Sequence, residues 1–304
     1  MMNSTTRRTF LVQSVGAAAA AAITRGARAQ EPAAAGVAPS AGRAEIRKAL
    51  YWGMFPESMT AADRFRLARD AGFEGVEVPT IRDQKLLDEM RKASEASGVR
   101  VHSIMNSDHW SQPLSSADPE VVRKGIACME MSMRNAKALG ADTVLLVPAV
   151  VNPQTPYNEA WTRSTGALRD LAAKARDLGI VIGIEDVWNK FLLSPREFAE
   201  YVDQFQTPHV RAYFDIGNIV AYGYPQDWIR TLGKRIVKLH VKDFDAGKHK
   251  FVPLLEGSID WKEVRRALDE IGYKGFMTAE LPGGDEKYLR DVSERMSRII
   301  EGRT

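Results

Sequence analysis

The sequence predicts an α/β protein built as one (β/α)8 barrel. Three observations carry this reading. From about residue 46 onward, short β-like apolar runs alternate with longer amphipathic segments. The runs number eight. Several amphipathic segments finish in glycine just before the next run, as at Gly72, Gly98, Gly140, Gly179 and Gly272. Glycine there supplies the left-handed cap that lets the chain turn back tightly.

Taken in order, the first run is "ALYWGMF" (49–55), followed by the helical pattern "TAADRFRLARDAG" (60–72). The second and third are "GVEVP" (75–79) and "VRVHSIMN" (99–106), and a long amphipathic stretch over 118–140 leads to the fourth, "TVLLVPAV" (143–150). A second long helix over 159–179 precedes the fifth, "VIGIEDVW" (181–188). The sixth and seventh are "RAYFDIGN" (211–218) and "IVKLHVKDF" (236–244); "SIDWKEVRRALDEIG" (258–272) then leads into the eighth, "GFMTAEL" (275–281). The runs are nearly continuous in apolar residues, as strands of a parallel sheet covered on both faces must be. A doubly wound open sheet is the competing architecture. It would carry a phosphate-binding glycine fingerprint after its first strand, and "YWGMFPESM" has none.

The N-terminus is different in kind. Arg7 and Arg8 are followed by Phe10 and Leu11, an Ala-rich run, and Ala27-Arg28-Ala29. This resembles a twin-arginine export signal cleaved after Ala29. The expected organisation is therefore a signal over 1–29, a flexible Ala/Pro/Gly tether over 30–45, and the barrel over 46–304. The apolar run is too short for a permanent membrane span, which needs about 20 apolar residues. The expected location is the periplasm or another exported compartment, with the twin-arginine machinery as a partner. That route carries folded proteins, which suits a metalloprotein loaded before export.

The formal charge of +3 belongs to the signal: removing its four arginines leaves 38 basic against 39 acidic residues. Bulk-charge binding to nucleic acid loses its support. The single cysteine, Cys128, excludes an internal disulfide and any Cys-rich metal site, and its apolar surroundings read as core.

In a (β/α)8 barrel the active site lies at the C-terminal strand ends. There the fifth strand carries Glu185, the sixth Asp215, the seventh His240 and the eighth Glu280. Burying one unpaired carboxylate costs several kcal/mol, and three in one mouth repel each other. A divalent cation resolves both problems. Two Glu, one Asp and one His form an oxygen and nitrogen set suited to Mn²⁺, with Mg²⁺, Co²⁺ or Zn²⁺ as alternatives.

The barrel with "IED", "FDIGN", "LHVKD" and "AEL" at these ends resembles the xylose-isomerase-like TIM-barrel superfamily, of the ketose 3-epimerase, hexulose-phosphate isomerase and hydroxypyruvate isomerase type. The resemblance covers nearly all of residues 46–300. It implies that Glu185, Asp215, His240 and Glu280 bind one metal ion and that Glu185 and Glu280 are the acid and base. The chain departs from the epimerase pattern where that pattern has a further Glu after the first ligand ("WNKFLLSP" here), a His at Asn218, and a Gly at Leu255.

Five more residues are candidates for substrate contact. Lys242 shares a strand face with His240, Asn218 follows Asp215 by three, and His102 lies in the third strand. Trp52 and Trp188 fall at strand ends, where an aromatic face can pack on sugar C–H groups. For Lys242, His102 and the tryptophans, structural roles weigh about equally. Export argues for a non-phosphorylated ketose or keto-sugar. The expected activity is metal-dependent isomerisation or epimerisation by proton abstraction next to a carbonyl. A lyase acting on keto-glycosides by the same first step, and a non-catalytic sugar-binding barrel, are the alternatives. A nuclease centre built from many histidines is disfavoured by a total of five. A homo-oligomer is left open.

Overall fold

A computed structural model describes residues 45–304. The candidate signal residues Arg7, Arg8 and Ala29 lie outside the described residues. Eight parallel strands close into a barrel, in the order β1, β10, β7, β6, β5, β4, β3, β2. These are β1 (Glu45–Tyr51), β2 (Gly75–Pro79), β3 (Arg100–Met105), β4 (Thr143–Leu146), β5 (Val181–Glu185), β6 (Val210–Asp215), β7 (Ile236–Val241) and β10 (Lys274–Ala279). A two-stranded antiparallel hairpin, β8 (Asp243–Asp245) with β9 (Lys250–Val252), leaves the end of β7.

Helices pack outside: α1 (Ala61–Asp70), α2 (Gln84–Ser97), α3 (Pro119–Leu139), α4 (Tyr157–Leu178), α5 (Pro195–Asp203), the short α6 (Ile216–Ile219), α7 (Pro225–Leu232), α8 (Trp261–Glu270) and α9 (Glu286–Glu301). Their starts are written in the sequence. Thr60, Asp83, Asp118, Ser194, Asp260 and Asp285 each accept a backbone N–H of the following first turn. The five glycines expected to cap the helices all have positive φ, between 66° and 84°.

Most strands end before the apolar runs read from the sequence, and two boundaries differ for an identifiable reason. β1 begins at Glu45 and ends at Tyr51, and residues 52–54 form a 3-10 turn instead of more strand. The charged "EIRK" segment (45–48) lies ahead of the first apolar run read from the sequence. Its strand conformation comes from a parallel register with β10 that runs from Glu45↔Lys274 to Leu50↔Ala279. β4 stops at Leu146, two residues before Pro148, whose ring restricts the residue before it and removes a ladder donor.

The described residues contain no helix long and apolar enough to cross a membrane. Cys128 is buried, with its sulfur 3.8 Å from the Thr80 hydroxyl.

Candidate metal centre

Register brings the four strand-end residues level. Asp215 pairs with His240 across β6 and β7, and His240 pairs with Thr278 across β7 and β10. Glu280 stands two residues beyond Thr278, on the same face of the chain. Glu185 closes β5 beside Tyr213. Together Glu185, Asp215, His240 and Glu280 offer ligand atoms that all lie within 4.8 Å of one another. Asp215 and His240 are fully buried and Glu185 is nearly so, whereas the Glu280 side chain keeps a quarter of its surface exposed. Glu280 is therefore the member a substrate would reach from solvent.

His240 is held at both ring nitrogens. Nδ1 lies 2.7 Å from Glu185 Oε1 and 3.1 Å from Glu280 Oε2, while Nε2 lies 3.1 Å from Glu77 Oε1. Glu77 is fully buried and its second oxygen accepts the Tyr213 hydroxyl. Asp215 is divided in the same way. Its Oδ1 accepts the backbone N–H groups of Gly217 and Asn218 at 2.8 and 3.0 Å, and its Oδ2 meets Lys242 Nζ at 2.5 Å. Lys242 also pairs with Glu280.

The charges perturb one another strongly. Burial lifts the Glu185 carboxyl to about 7, against the pull of His240. Burial acts against the charge on His240 but is outweighed by Glu77, Glu280 and Glu185, so its pKa rises well above the ordinary value. Burial is likewise outweighed at Glu280, where His240 and Lys242 lower the carboxyl, and at Lys242, where Asp215 and Glu280 raise the ammonium. Asp186 is pushed up by burial and by Asp215. Its Oδ1 accepts the Asp215 N–H at 3.0 Å, and its buried Oδ2 has no hydrogen-bond partner among the described residues.

This donor set fits a divalent cation. Formally, the carboxylates of Glu77, Glu185, Asp215 and Glu280 outnumber the cations by two while His240 carries its second proton, and by three, against Lys242 alone, once His240 is neutral. With the Nε2 proton donated to Glu77, Nδ1 presents its lone pair on the side of Glu185 and Glu280. A carboxylate behind the imidazole is the usual support of a metal-binding histidine.

The other sequence candidates separate into two groups. Lys242 and Asn218 touch the cluster, at Asp215 and, for Lys242, also Glu280, and Trp188 is tied to it only through Asn218. The Asn218 side-chain amide donates to the Asp186 carbonyl at 2.9 Å, so it braces the β5 and β6 loops, and the Trp188 indole N–H donates to the Asn218 carbonyl at 3.0 Å. His102 and Trp52 are placed elsewhere. His102 is fully buried inside the barrel, stacked on Phe276 with Nε2 3.1 Å from the Thr278 hydroxyl, so it does not reach the mouth. Trp52 packs its ring against Phe55 and Phe65 beneath the Arg64 guanidinium.

Sequence reasoning missed Glu77 and Tyr213. The signal for Glu77 was present: a carboxylate in the middle of the buried run "GVEVP". It also missed His109, buried on the loop after β3 and held at about 4 by burial, with Glu280 and Asp108 pulling the other way.

A closed barrel of eight parallel strands, with three carboxylates and an imidazole converging at its C-terminal mouth as a candidate metal site, places the chain among (β/α)8 proteins. Among these, the chain belongs to the xylose isomerase-like TIM barrel family, whose model matches residues 65–299. L-ribulose-5-phosphate 3-epimerase UlaE of Escherichia coli O1:K1 / APEC is 29% identical over 275 residues, 84% of this chain and 96% of that protein. Two solved structures share the fold. One is the apo form of the 3-keto-D-glucoside 4-epimerase YcjR from E. coli, with TM-score 0.72 and 14% identity over 84% of this chain and 99% of that one. The other is a D-tagatose 3-epimerase-like protein, with TM-score 0.72 and 19% identity over 85% of this chain and 100% of that one. The relatives named by activity are sugar epimerases, enzymes of the isomerase class.

Proposed function

We propose that this protein is an exported, metal-dependent sugar isomerase or epimerase acting on a non-phosphorylated ketose or keto-sugar. The observation that carries the reading is the convergence of Glu185, Asp215, His240 and Glu280 within 4.8 Å at the mouth of the barrel. Mn²⁺ is the first expectation for the ion, on the chemistry of its ligands. A divalent cation held there supplies electrostatic stabilisation of charge developing on the sugar's carbonyl and neighbouring hydroxyl oxygens.

The residues of the chain do the rest. One of Glu185 and Glu280 removes the proton on the carbon next to the carbonyl. The other returns a proton, to the opposite face of that carbon for epimerisation or to the neighbouring carbon for isomerisation. The twin-arginine motif supports export, and so a substrate without phosphate. Lys242, the ammonium at the cluster, is engaged by Asp215 and Glu280 and so offers no ready phosphate contact.

The test is incubation of the metal-loaded mature chain with ketoses and keto-glycosides in D₂O. Solvent deuterium in an intact, rearranged sugar is the expected product. An unsaturated fragment would make the protein a lyase, and binding without exchange would make it a sugar-binding barrel. Cell fractionation comparing the native chain with Arg7→Lys plus Arg8→Lys tests export; unchanged distribution would end that part of the proposal.

A further inference from the structure

We propose that His102, Thr278 and Tyr213 form a one-way chain of hydrogen bonds that ends on Glu77, and that this chain fixes which ring nitrogen of His240 faces the metal ligands. The three are then positioning residues that act on the cluster through Glu77. The inference rests on the metal site proposed above and deepens it.

The interior of a (β/α)8 barrel is ordinarily filled by branched apolar side chains. Here Glu77, His102, Tyr213 and Thr278 lie inside it with no exposure. Burying polar groups costs free energy unless each finds a partner. These find one another. His102 Nε2 lies 3.1 Å from Thr278 Oγ1, which lies 3.4 Å from Tyr213 Oη, and the Tyr213 hydroxyl donates to Glu77 Oε2. The other Glu77 oxygen, Oε1, is 3.1 Å from His240 Nε2.

The available protons give the chain one direction. Carboxylate oxygens only accept, so the single Tyr213 proton goes to Glu77 and the Tyr213 oxygen accepts from Thr278. The Thr278 proton is then committed, and its oxygen accepts from His102 Nε2–H. Burial lowers the His102 pKa well below its ordinary value, so the ring is neutral and carries one proton. With that proton on Nε2, the buried Nδ1, which has no hydrogen-bond partner, holds a lone pair. The reverse order at His102 would send the Thr278 proton to Nε2, set lone pairs against each other between Thr278 and Tyr213, and bury an unpaired N–H at Nδ1. Every proton of the chain therefore points to Glu77, which remains a full acceptor for His240 Nε2–H. The nitrogen free to give up its proton to a cation is Nδ1, 2.7 Å from Glu185 Oε1 and 3.1 Å from Glu280 Oε2.

The backbone is adjusted at these residues. Between β2 and β3 the register steps from Val76↔Val101 to Glu77↔Ser103, which makes His102 an extra residue beside Glu77. Between β6 and β7 it steps from Ala212↔Ile236 to Tyr213↔Lys238. Bulges are rare between parallel strands, and they re-aim neighbouring side chains. Gly75 makes room in the same layer: a Cβ there would lie 2.6 Å from the Phe276 ring and 3.0 Å from the His102 ring stacked on it.

The experiment uses protein labelled with a nitrogen isotope in its histidines, in which two-bond nitrogen–proton couplings report the ring nitrogen that carries the proton. His102 is expected to carry it on Nε2 in the metal-free protein. After loading with Zn²⁺, His240 is expected to keep Nε2–H and bind through Nδ1. Tyr213→Phe keeps the ring contact with His240, centroids 4.6 Å apart, and removes only the hydroxyl. Glu77 Oε2 is then without a donor, and Zn²⁺ affinity measured by chelator competition should fall about tenfold, the lower end for a changed supporting partner. Thr278→Val should cause a smaller loss and release His102 from its single tautomer, and Thr278→Ser should restore both.

The proposal is overturned if His102 carries its proton on Nδ1, if zinc binds His240 through Nε2, or if folded Tyr213→Phe binds zinc as tightly as the unaltered protein. The tautomers are read in the unaltered protein, so they decide even where Tyr213→Phe does not fold. The two readings fail separately. The expected tautomers and zinc uptake without deuterium exchange into any sugar keep the chain and remove the isomerase, whereas exchange in a protein whose His102 carries its proton on Nδ1 keeps the isomerase and removes the chain.

Discussion

Glu77→Gln isolates the residue behind His240. The substitution keeps the size of the side chain and an acceptor oxygen for the histidine Nε2–H, 3.1 Å away, but removes the charge from a fully buried position. Two consequences oppose each other. Loss of the carboxylate makes the imidazole a weaker donor and lowers the attraction for a cation; changes to such supporting partners cost about tenfold to a hundredfold in metal affinity. Because glutamine still accepts the hydrogen bond, the lower end applies, about tenfold or about 1.4 kcal/mol.

Glu77 also exerts the largest single charge effect raising the His240 pKa, so its removal eases release of the proton a metal must displace. The deficit is therefore largest at alkaline pH, where protons no longer compete, and narrows as the solution becomes acidic. Calorimetric titration of chelator-stripped protein with Mn²⁺ at several pH values reads both effects, with far-UV dichroism to confirm folding. Equal affinity of the two proteins at alkaline pH, or a deficit that does not change with pH, would refute the argument.

Four further outcomes are expected. Glu280→Gln keeps the fold and much of the metal, measured by elemental analysis, but abolishes deuterium exchange; full exchange would remove Glu280 from the mechanism. Metal affinity of the unaltered protein rises with pH, because Glu185, lifted to about 7, and the raised His240 must both give up protons; up to about tenfold per proton per pH unit is expected below pH 7, with proton release measured in buffers of different ionisation heat. His109, held at about 4 by burial against its ordinary 6.5, binds its proton more readily in the unfolded chain, so stability is lost as pH falls through that window, by about 3 kcal/mol; urea titrations should show His109→Gln flattening that slope. Asp243→Ala leaves the N–H groups of Phe244, Leu255 and Trp261 without their acceptor and should cost on the order of 3 kcal/mol in the same assay, by loosening the return of the hairpin that carries Phe251.

The barrel was legible because parallel strands covered on both faces must be apolar throughout, so a polar residue at a strand end stands out. The same rule exposed Glu185, Asp215, His240 and Glu280. It exposed Glu77 equally well, but Glu77 stands in mid-strand and its partner His240 is 163 residues away; only closure of the ring brings them together. Lys242 followed from two-residue periodicity, which holds past the end of β7. Asn218 did not, because Asp215 ends its strand and caps the turn of α6, redirecting the asparagine to the Asp186 carbonyl. At Leu255 the sequence lacks the expected glycine, yet the backbone keeps a glycine-like φ of 71°, with its N–H held by Asp243.

These exceptions share a cause. Strand periodicity predicts direction only while the ladder continues, and the loops beyond it take their form from side chains that reach back to the barrel. Asp243 is the clearest case. Its carboxylate organises the segment behind Phe251, and no pattern within residues 245–257 announces that a ring from this stretch will lie beside Trp188. The candidate metal ligands were readable because they stand in or just past the ladder, whereas the surface that would select among sugars belongs to loops whose shape is set across strands. Chemistry and specificity are therefore encoded at different ranges in this chain. Substitutions in the hairpin are expected to change which sugar is accepted while leaving the four-residue cluster in place, and metal content measured alongside deuterium exchange into a panel of ketoses and keto-glycosides in Phe251→Ser tests that separation directly; loss of metal from this variant would refute it.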